Sequence, residues 1–517
     1  MRRLAALTLA SLAAASVLAG CSVIDDIRDA IRPPQAQDVP AENPPPGMEG
    51  TEKFYAQQLQ WSRCSGGQCA QLEVPVDYAN PDGATLRIAV LKVPAANQPA
   101  MGSLLVNPGG PGGSGVDYAR AAGFGGVVTA PVHRKYDVVG FDPRGVGRSS
   151  PIECLDGPEM DDFLAQDPTP DYAAEQQAAA ATAKAFGQAC ATKGGALVGH
   201  VSTVDAAKDM DILRSRLGDD RLTYLGKSYG TYLGAVYAGL FPAKVGRLVL
   251  DGAIDPSLTS EQINLGQALG FERATRAWAE ECATSPTCPF GQDATAVMSG
   301  LATLLRTLDQ SPLPQTGDRS VPALTEGWAS YGVASAMYDQ GMWSTLDDAL
   351  VDAKKGDGSG LMALADRYAD RDPGGSYSTN LMQALWAVNC LDKPESADLA
   401  ERVGQQERLT AQAPFWGPFM AWGSLVCGTW PGGGSTPPQP AEITAPGSAP
   451  IVVIGTTRDP ATPYEWAQGL ADQLENGTLV TFDGDGHTAY TRSNKCVDNA
   501  VDDWFIDGIV PAEDLRC

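Results

Sequence analysis

Arg221-Leu222-Thr223-Tyr224-Leu225-Gly226-Lys227-Ser228-Tyr229-Gly230 joins a strand-forming run to an Ala- and Gly-rich helical stretch over residues 229–241. Glycines on both sides of Ser228 permit a tight strand-to-helix turn that lifts the serine above a sheet edge, the geometry of a nucleophile elbow. The pentapeptide alone is a weak signal, and its setting gives it weight. Strand-type runs occupy residues 86–93, 102–107, 136–142 and 221–225, another follows at 245–251, and a helical pattern covers 204–217. Strands alternating with helices predict a mostly parallel sheet flanked by helices on both faces.

The alternation stops after Asp251. Residues 256–445 have helical composition and end in a Gly/Pro-rich stretch, so they read as an inserted helical lid. Strand, helix and strand resume at 451–455, 464–474 and 478–482, and residues 446–517 are expected to complete the sheet begun in the core segment 51–255.

A serine hydroxyl needs a base, and only His133, His200 and His487 are available. His133 precedes the 136–142 strand and reads as structural; His200 precedes a helix and reads as a surface or capping residue. His487, in Asp483-Gly484-Asp485-Gly486-His487, follows the last strand on a loop at the edge where parallel sheets place ligands. Asp459, in the loop after the 451–455 strand, suits the orienting carboxylate in the order Ser, Asp, His; Asp483 and Asp485 are its rivals. Thr462 reads first as a helix cap and second as a partner of the Asp459 loop. For the oxyanion, Asn107-Pro108-Gly109-Gly110-Pro111-Gly112-Gly113-Ser114-Gly115 follows a strand and lets backbone amides approach a substrate. Gly110 and Tyr229 are the nominated donors. The loop lacks the Lys-Ser/Thr ending of a phosphate loop.

Composition narrows the partners. With 37 basic against 62 acidic side chains, the net charge of −25 excludes a polycation that coats nucleic acid or an anionic membrane. No Cys-x-x-Cys pair occurs and histidines are scarce, so neither a metal nor an organic cofactor is expected. Residues 1–20 carry Arg2 and Arg3, an Ala/Leu-rich centre and Leu18-Ala19-Gly20-Cys21, the parts of an export signal whose last four residues resemble a lipobox. A lipid on Cys21, a Pro-rich tether over 21–50, and attachment to the outer face of the cytoplasmic membrane are the expectation; an ordinary secretory signal is the alternative. The ten remaining cysteines suit five disulfides in an oxidising compartment. Sequence does not fix connectivity, but neighbours suggest Cys64–Cys69, Cys154–Cys190, Cys282–Cys288, Cys390–Cys427 and Cys496–Cys517.

Pro108-Gly109-Gly110-Pro111-Gly112 resembles the His-Gly-Gly-Pro-Gly loop of proline iminopeptidases, with Pro108 in place of His, and 142–150 is similar to the Asp-x-Arg-Gly-x-Gly-x-Ser segment of the same α/β-hydrolases. From Pro450 through Asp459-Pro460-Ala461-Thr462-Pro463 and Gly486-His487 to Cys517, the chain resembles the C-terminal module of secreted actinobacterial tripeptidyl aminopeptidases. Together with the lipobox it resembles mycobacterial cell-envelope serine-protease lipoproteins of that family, also described as carboxylesterases. The likeness covers about residues 60–255 and 385–517. It implies an α/β-hydrolase core and a Ser228 acyl-enzyme that acts on peptides or proteins, or alternatively on acyl esters. It further implies lid carboxylates that hold a substrate ammonium, with Asp392 the candidate. A catalytically silent binding lipoprotein is a third reading, opposed by the intact set Ser228, Asp459 and His487.

Overall fold

In a computed structural model the chain is described over residues 35–432 and 442–517. The export signal, Cys21 and the tether up to residue 34 lie outside the described residues. One sheet of eleven strands runs through the body: β1 (Gln35–Ala36), β2 (Gln60–Cys64), β3 (Gly67–Pro75), β4 (Thr85–Val93), β5 (Ser103–Asn107), β6 (Asp137–Phe141), β7 (Leu222–Lys227), β8 (Val245–Asp251), β9 (Ile451–Arg458), β10 (Gly477–Asp485) and β11 (Leu515–Arg516). The spatial order is β1-β2-β3-β4-β6-β5-β7-β8-β9-β10-β11. Pairs from β6 through β5 to β11 are parallel, while β1 to β4 form an antiparallel flank that joins β6. This is the α/β architecture expected from the alternation, with β9 restoring the sheet beside β8 after the insertion.

Strand alternation divides the core between two faces. Leu105, Val139 and Tyr224 pack on one side, and Leu104, Val106, Val138 and Leu225 on the other. The first side is covered by the helices Thr203–Leu217 and Tyr229–Leu240, the second by Gly115–Arg120 and Lys495–Asp507. Among the described residues no helix is long and apolar enough to cross a membrane.

The tether is shorter than its composition suggested. Residues 37–50 pack on the body: Val39 and Met48 are buried, Arg216 donates to Pro40 O, and Glu42 pairs with Arg214 and Lys244. A proline-rich segment can lie flat on a surface that satisfies its carbonyls, and Arg216 of the helix Thr203–Leu217 does so here for Val39 O and Pro40 O.

The cap also draws on more chain than 256–445. Helices Gly157–Leu164 and Ala173–Lys193 lie between β6 and β7, within the segment assigned to the core, yet they pack on cap residues. Phe163 and Phe186 set their rings against Trp386 at 5.0 and 5.5 Å, and Arg371 of the cap binds Asp161 at 2.6 Å. Arg371 also meets Asp318 and Asp366, so one buried guanidinium joins segments far apart in sequence. All five suggested disulfides are present, two of them within the cap: Cys282–Cys288 and Cys390–Cys427.

At the cap's edge Glu326, at the start of the helix Glu326–Met337, is buried; Thr169 Oγ1 donates to it at 3.2 Å, and Asp167, Asp171 and Asp309 act on it through their charges. Burial, then the Asp167 charge, push its carboxyl up to about 8, and burial pushes Asp167 up to about 6. A raised carboxyl holds a proton that the unfolded chain releases near pH ~4.3, so this contribution to stability is complete below that pH and is lost as pH rises towards 8. Glu326→Gln keeps the Thr169 partner and removes the charge. It is expected to raise Tm by about 2–4 °C at pH 8 and to change it little at pH 4, by calorimetry.

Candidate active site

β7 ends at Lys227 and the helix Tyr229–Leu240 begins two residues later, leaving Ser228 at φ 55° and ψ −126°. That backbone region costs a residue with a side chain about 1–3 kcal/mol, and the surrounding turn enforces it. A Cβ on Gly226 would fall 2.2 Å from Gly230 O, and one on Gly230 would fall 2.9 Å from Asn107 O. Strand and helix therefore cross at a distance that only glycine permits. Ser228 N donates to Asp251 O at 2.9 Å, which ties the turn to the end of β8.

Asp251 also binds the loop that carries the histidine. Its carboxylate is fully buried, accepts from Ala489 N at 2.9 Å and Tyr490 N at 3.0 Å, and lies 3.7 Å from Lys227 Nζ. Lys227 Nζ donates in turn to Tyr490 O at 2.6 Å. Burial opposes both charges, pushing Lys227 down and Asp251 up, and each offsets the other. Lys227→Met leaves Asp251 charged and unpaired in the core. A loss of about 3–5 kcal/mol in urea unfolding is expected, with kcat falling more than KM changes, because residues 487–490 lose their clamp.

His487 follows β10 and Asp459 follows β9, at the sheet edge where β7 leads into Ser228. His487 Nδ1 stands 2.9 Å from both carboxylate oxygens of Asp459, which is wholly buried. Asp459 Oδ1 accepts from Ala461 N at 2.9 Å and Thr462 N at 2.8 Å, and Oδ2 accepts from Thr488 N at 3.2 Å. The rival carboxylates lie elsewhere: Asp483 and Asp485 pair with Arg458 at 2.9 and 2.8 Å. His133 ends a short helix before β6, and His200 lends its carbonyl to Arg144 while Ser202, not His200, caps the helix Thr203–Leu217.

Thr462 does not cap the following helix, whose N-cap is Pro463 without a side-chain bond. Its amide serves Asp459, and its Oγ1 lies 3.3 Å from His487 Nδ1. The Pro460–Pro463 segment curls back over the carboxylate, so the partner lies behind Thr462 in the chain. The cap also touches the histidine: Tyr338 O accepts from His487 N at 3.0 Å, and its ring meets the imidazole edge-on at 5.3 Å. Nothing in the sequence marks Tyr338, since the contact forms only once the cap closes over β10.

The glycine loop lies on the elbow. A Cβ on Gly109 would meet Ser228 Cβ at 2.8 Å and Tyr229 N at 3.0 Å. Gly109 is thus the residue nearest the elbow, and Gly110, which follows it, shares a cavity wall with Tyr229. Within the described residues no acceptor takes the amide of Gly110 or Tyr229. The loop's exit is held by Asp142, which accepts from Ser114 Oγ at 2.5 Å and Val116 N at 3.1 Å; Arg144 is locked on Asp209 at 2.6 Å. The Asp-x-Arg-Gly motif therefore serves loop position.

Asp392 ends the cap helix Leu381–Asp392 and lines the same cavity. Its oxygens accept from Thr203 N at 2.9 Å and Thr203 Oγ1 at 2.5 Å. Thr203 Oγ1 also bonds the Tyr229 hydroxyl, so Asp392 is linked to the elbow through one threonine. Burial pushes its carboxyl up to about 7.

The family model of TAP-like proteins matches residues 413–517. The chain is 38% identical over 489 residues to the serine protease Hip1 of Mycobacterium tuberculosis, covering 90% of this chain and 92% of that protein. It is 39% identical over 494 residues to carboxylesterase B of the same species, covering 92% and 93%. It is 32% identical over 472 residues to a tripeptidyl aminopeptidase of Streptomyces lividans, covering 89% and 86%. The likeness thus runs through the middle of the cap as well as the two blocks that carry the motifs.

Proposed function

The chain belongs to the family of serine hydrolases that includes tripeptidyl aminopeptidases and Hip1-type serine proteases, and on that premise we propose that it is a peptidase releasing short peptides from free N-termini through an acyl-enzyme on Ser228. The observation that carries the catalytic part is the His487 imidazole held at 2.9 Å by both oxygens of Asp459, at the sheet edge where the elbow presents Ser228.

Ser228 Oγ attacks the scissile carbonyl while His487 Nε2 takes its proton; Asp459 keeps Nδ1 protonated and stabilises the imidazolium. The amides of Gly110 and Tyr229 receive the oxyanion. His487 then protonates the leaving amine, and water repeats the sequence on the acyl-enzyme. Asp392 holds the substrate ammonium; its place in the cavity beside Gly110 and Tyr229 supports this role. Its charge develops as pH rises through about 7, whereas a peptide α-ammonium is lost above pH ~8. The preference for a free over an N-acetylated tripeptide p-nitroanilide is therefore expected to be greatest between the two. Asp392→Asn should raise KM for the free-amine substrate about tenfold and leave the acetylated one little changed; an unchanged KM for both would remove Asp392 from this role.

Ester hydrolysis uses the same atoms. Ile254, Ile263 and Trp466 on the cavity wall favour this second reading, which matches the name of the carboxylesterase B relative. Location rests on the lipobox: export, a lipid on Cys21 and attachment to the outer face of the cytoplasmic membrane. Intact mass of the envelope form should show diacylated Cys21 as the first residue, and an unmodified N-terminus would refute the anchor.

A further inference from the structure

Tyr232 rises one helical turn after Ser228 on the helix Tyr229–Leu240, and its ring lies against the cavity that Gly110 and Tyr229 line. The residue is 4% exposed and its hydroxyl has no hydrogen-bond partner among the described residues. Among the described residues it is the one unpartnered buried side-chain atom on this wall. A buried hydroxyl without a partner is unfavourable in the free protein, and such a group is retained where a ligand completes it. Asn389 lines the same wall, and among the described residues no hydrogen bond occupies its side-chain amide. The other polar groups there are engaged: Glu395 by Arg402 and Asn264, and Lys393 by the carbonyls of Pro256 and Leu258.

We propose that the Tyr232 hydroxyl, with the Asn389 amide, forms an acyl-side subsite that hydrogen-bonds the backbone amide groups of a peptidyl substrate beyond its scissile carbonyl, making Tyr232 a specificity residue for peptide over plain acyl chains. The inference rests on the peptidase reading and gives the free-amine pocket a second recognition element. Burial and the Asp392 charge push the phenol's ionisation well up, so it remains a donor throughout the working pH range. The position is close to the reacting atoms, because the helix that carries Tyr232 starts at the amide assigned to the oxyanion. A fatty acyl chain offers no acceptor there and would leave the hydroxyl unpaired.

The test compares the wild type and Tyr232→Phe on two thiobenzyl esters with the same leaving group, Ala-Ala-Ala and hexanoyl, together with Ala-Ala-Ala p-nitroanilide. The kcat/KM ratio of tripeptidyl to hexanoyl ester is expected to fall about 3- to 10-fold in the variant, the effect of one neutral hydrogen bond. Tm should hold or rise, because the lost hydroxyl had no partner in the free protein. An unchanged ratio would overturn the inference, as expected if water alone satisfies the hydroxyl; a lowered Tm would also overturn it by showing a bond within the protein. Wild-type turnover of both thioesters but not of the anilide would end the peptidase reading, while the thioester ratio would still decide the role of Tyr232.

Discussion

Ser228→Ala is expected to lower kcat on a tripeptide p-nitroanilide by about 10⁴- to 10⁶-fold, and to abolish labelling by a fluorophosphonate probe. The fold should be unaffected. Alanine keeps the Cβ at φ 55°, so the strain of the turn is retained, and the Ser228 N to Asp251 O bond does not involve the hydroxyl. Tm within about 1 °C of the wild type would place the whole effect in the chemistry. Residual turnover would come from the amides of Gly110 and Tyr229 polarising the carbonyl for water. A loss of less than tenfold would move the nucleophile elsewhere.

Asp459→Asn should cost about 10⁴-fold in kcat, for a reason visible in its hydrogen bonds. Oδ1 takes two amide donors, Ala461 N and Thr462 N, and Oδ2 takes Thr488 N. A carboxamide must present its oxygen to one of these sets and its NH₂ to the other. Facing the oxygen towards the pair of amides turns the NH₂ towards Thr488 N and His487 Nδ1. The imidazole must then accept at Nδ1 and carry its proton on Nε2, the tautomer that cannot take a proton from Ser228. One N–H is also left facing another donor in the core, so Tm should fall by about 2–4 °C, unlike in Ser228→Ala. Proton NMR of the imidazole would identify the tautomer; a native tautomer with full activity would remove Asp459 from its role.

What was legible in the chain was local or periodic. The glycines around Ser228 carry their own steric reason, alternation located the parallel strands, and cysteines near one another in sequence formed the bonds expected of them. The histidine and its carboxylate were legible because each follows a strand at the ligand-bearing edge. The features that escaped join distant segments. Tyr338 reaches His487 only across the cap, Asp161 meets Arg371 across 210 residues, and residues 37–50 dock through arginines of the helix Thr203–Leu217. Such contacts leave no periodicity behind. Thr462, before Pro-Tyr-Glu, has the composition of a cap, yet of its two readings the structure realises the second: its partner is a carboxylate three residues earlier that the loop folds back to meet.

Lys227 is an unremarkable residue in sequence, yet at 6% exposure it clamps the nucleophile's strand to the histidine's loop through Asp251 and Tyr490 O. The turn that carries Ser228 and the loop that carries His487 are thereby fixed to one another by one buried pair.

The most direct measurement incubates the purified protein, alongside Ser228→Ala, with a mixture of free and N-acetylated peptides and reads the products by mass spectrometry. Release of peptides two or three residues long from free N-termini only is expected, and none from the alanine variant. An intact peptide mixture after incubation with protein that still takes up the fluorophosphonate probe on Ser228 would contradict it and leave an esterase.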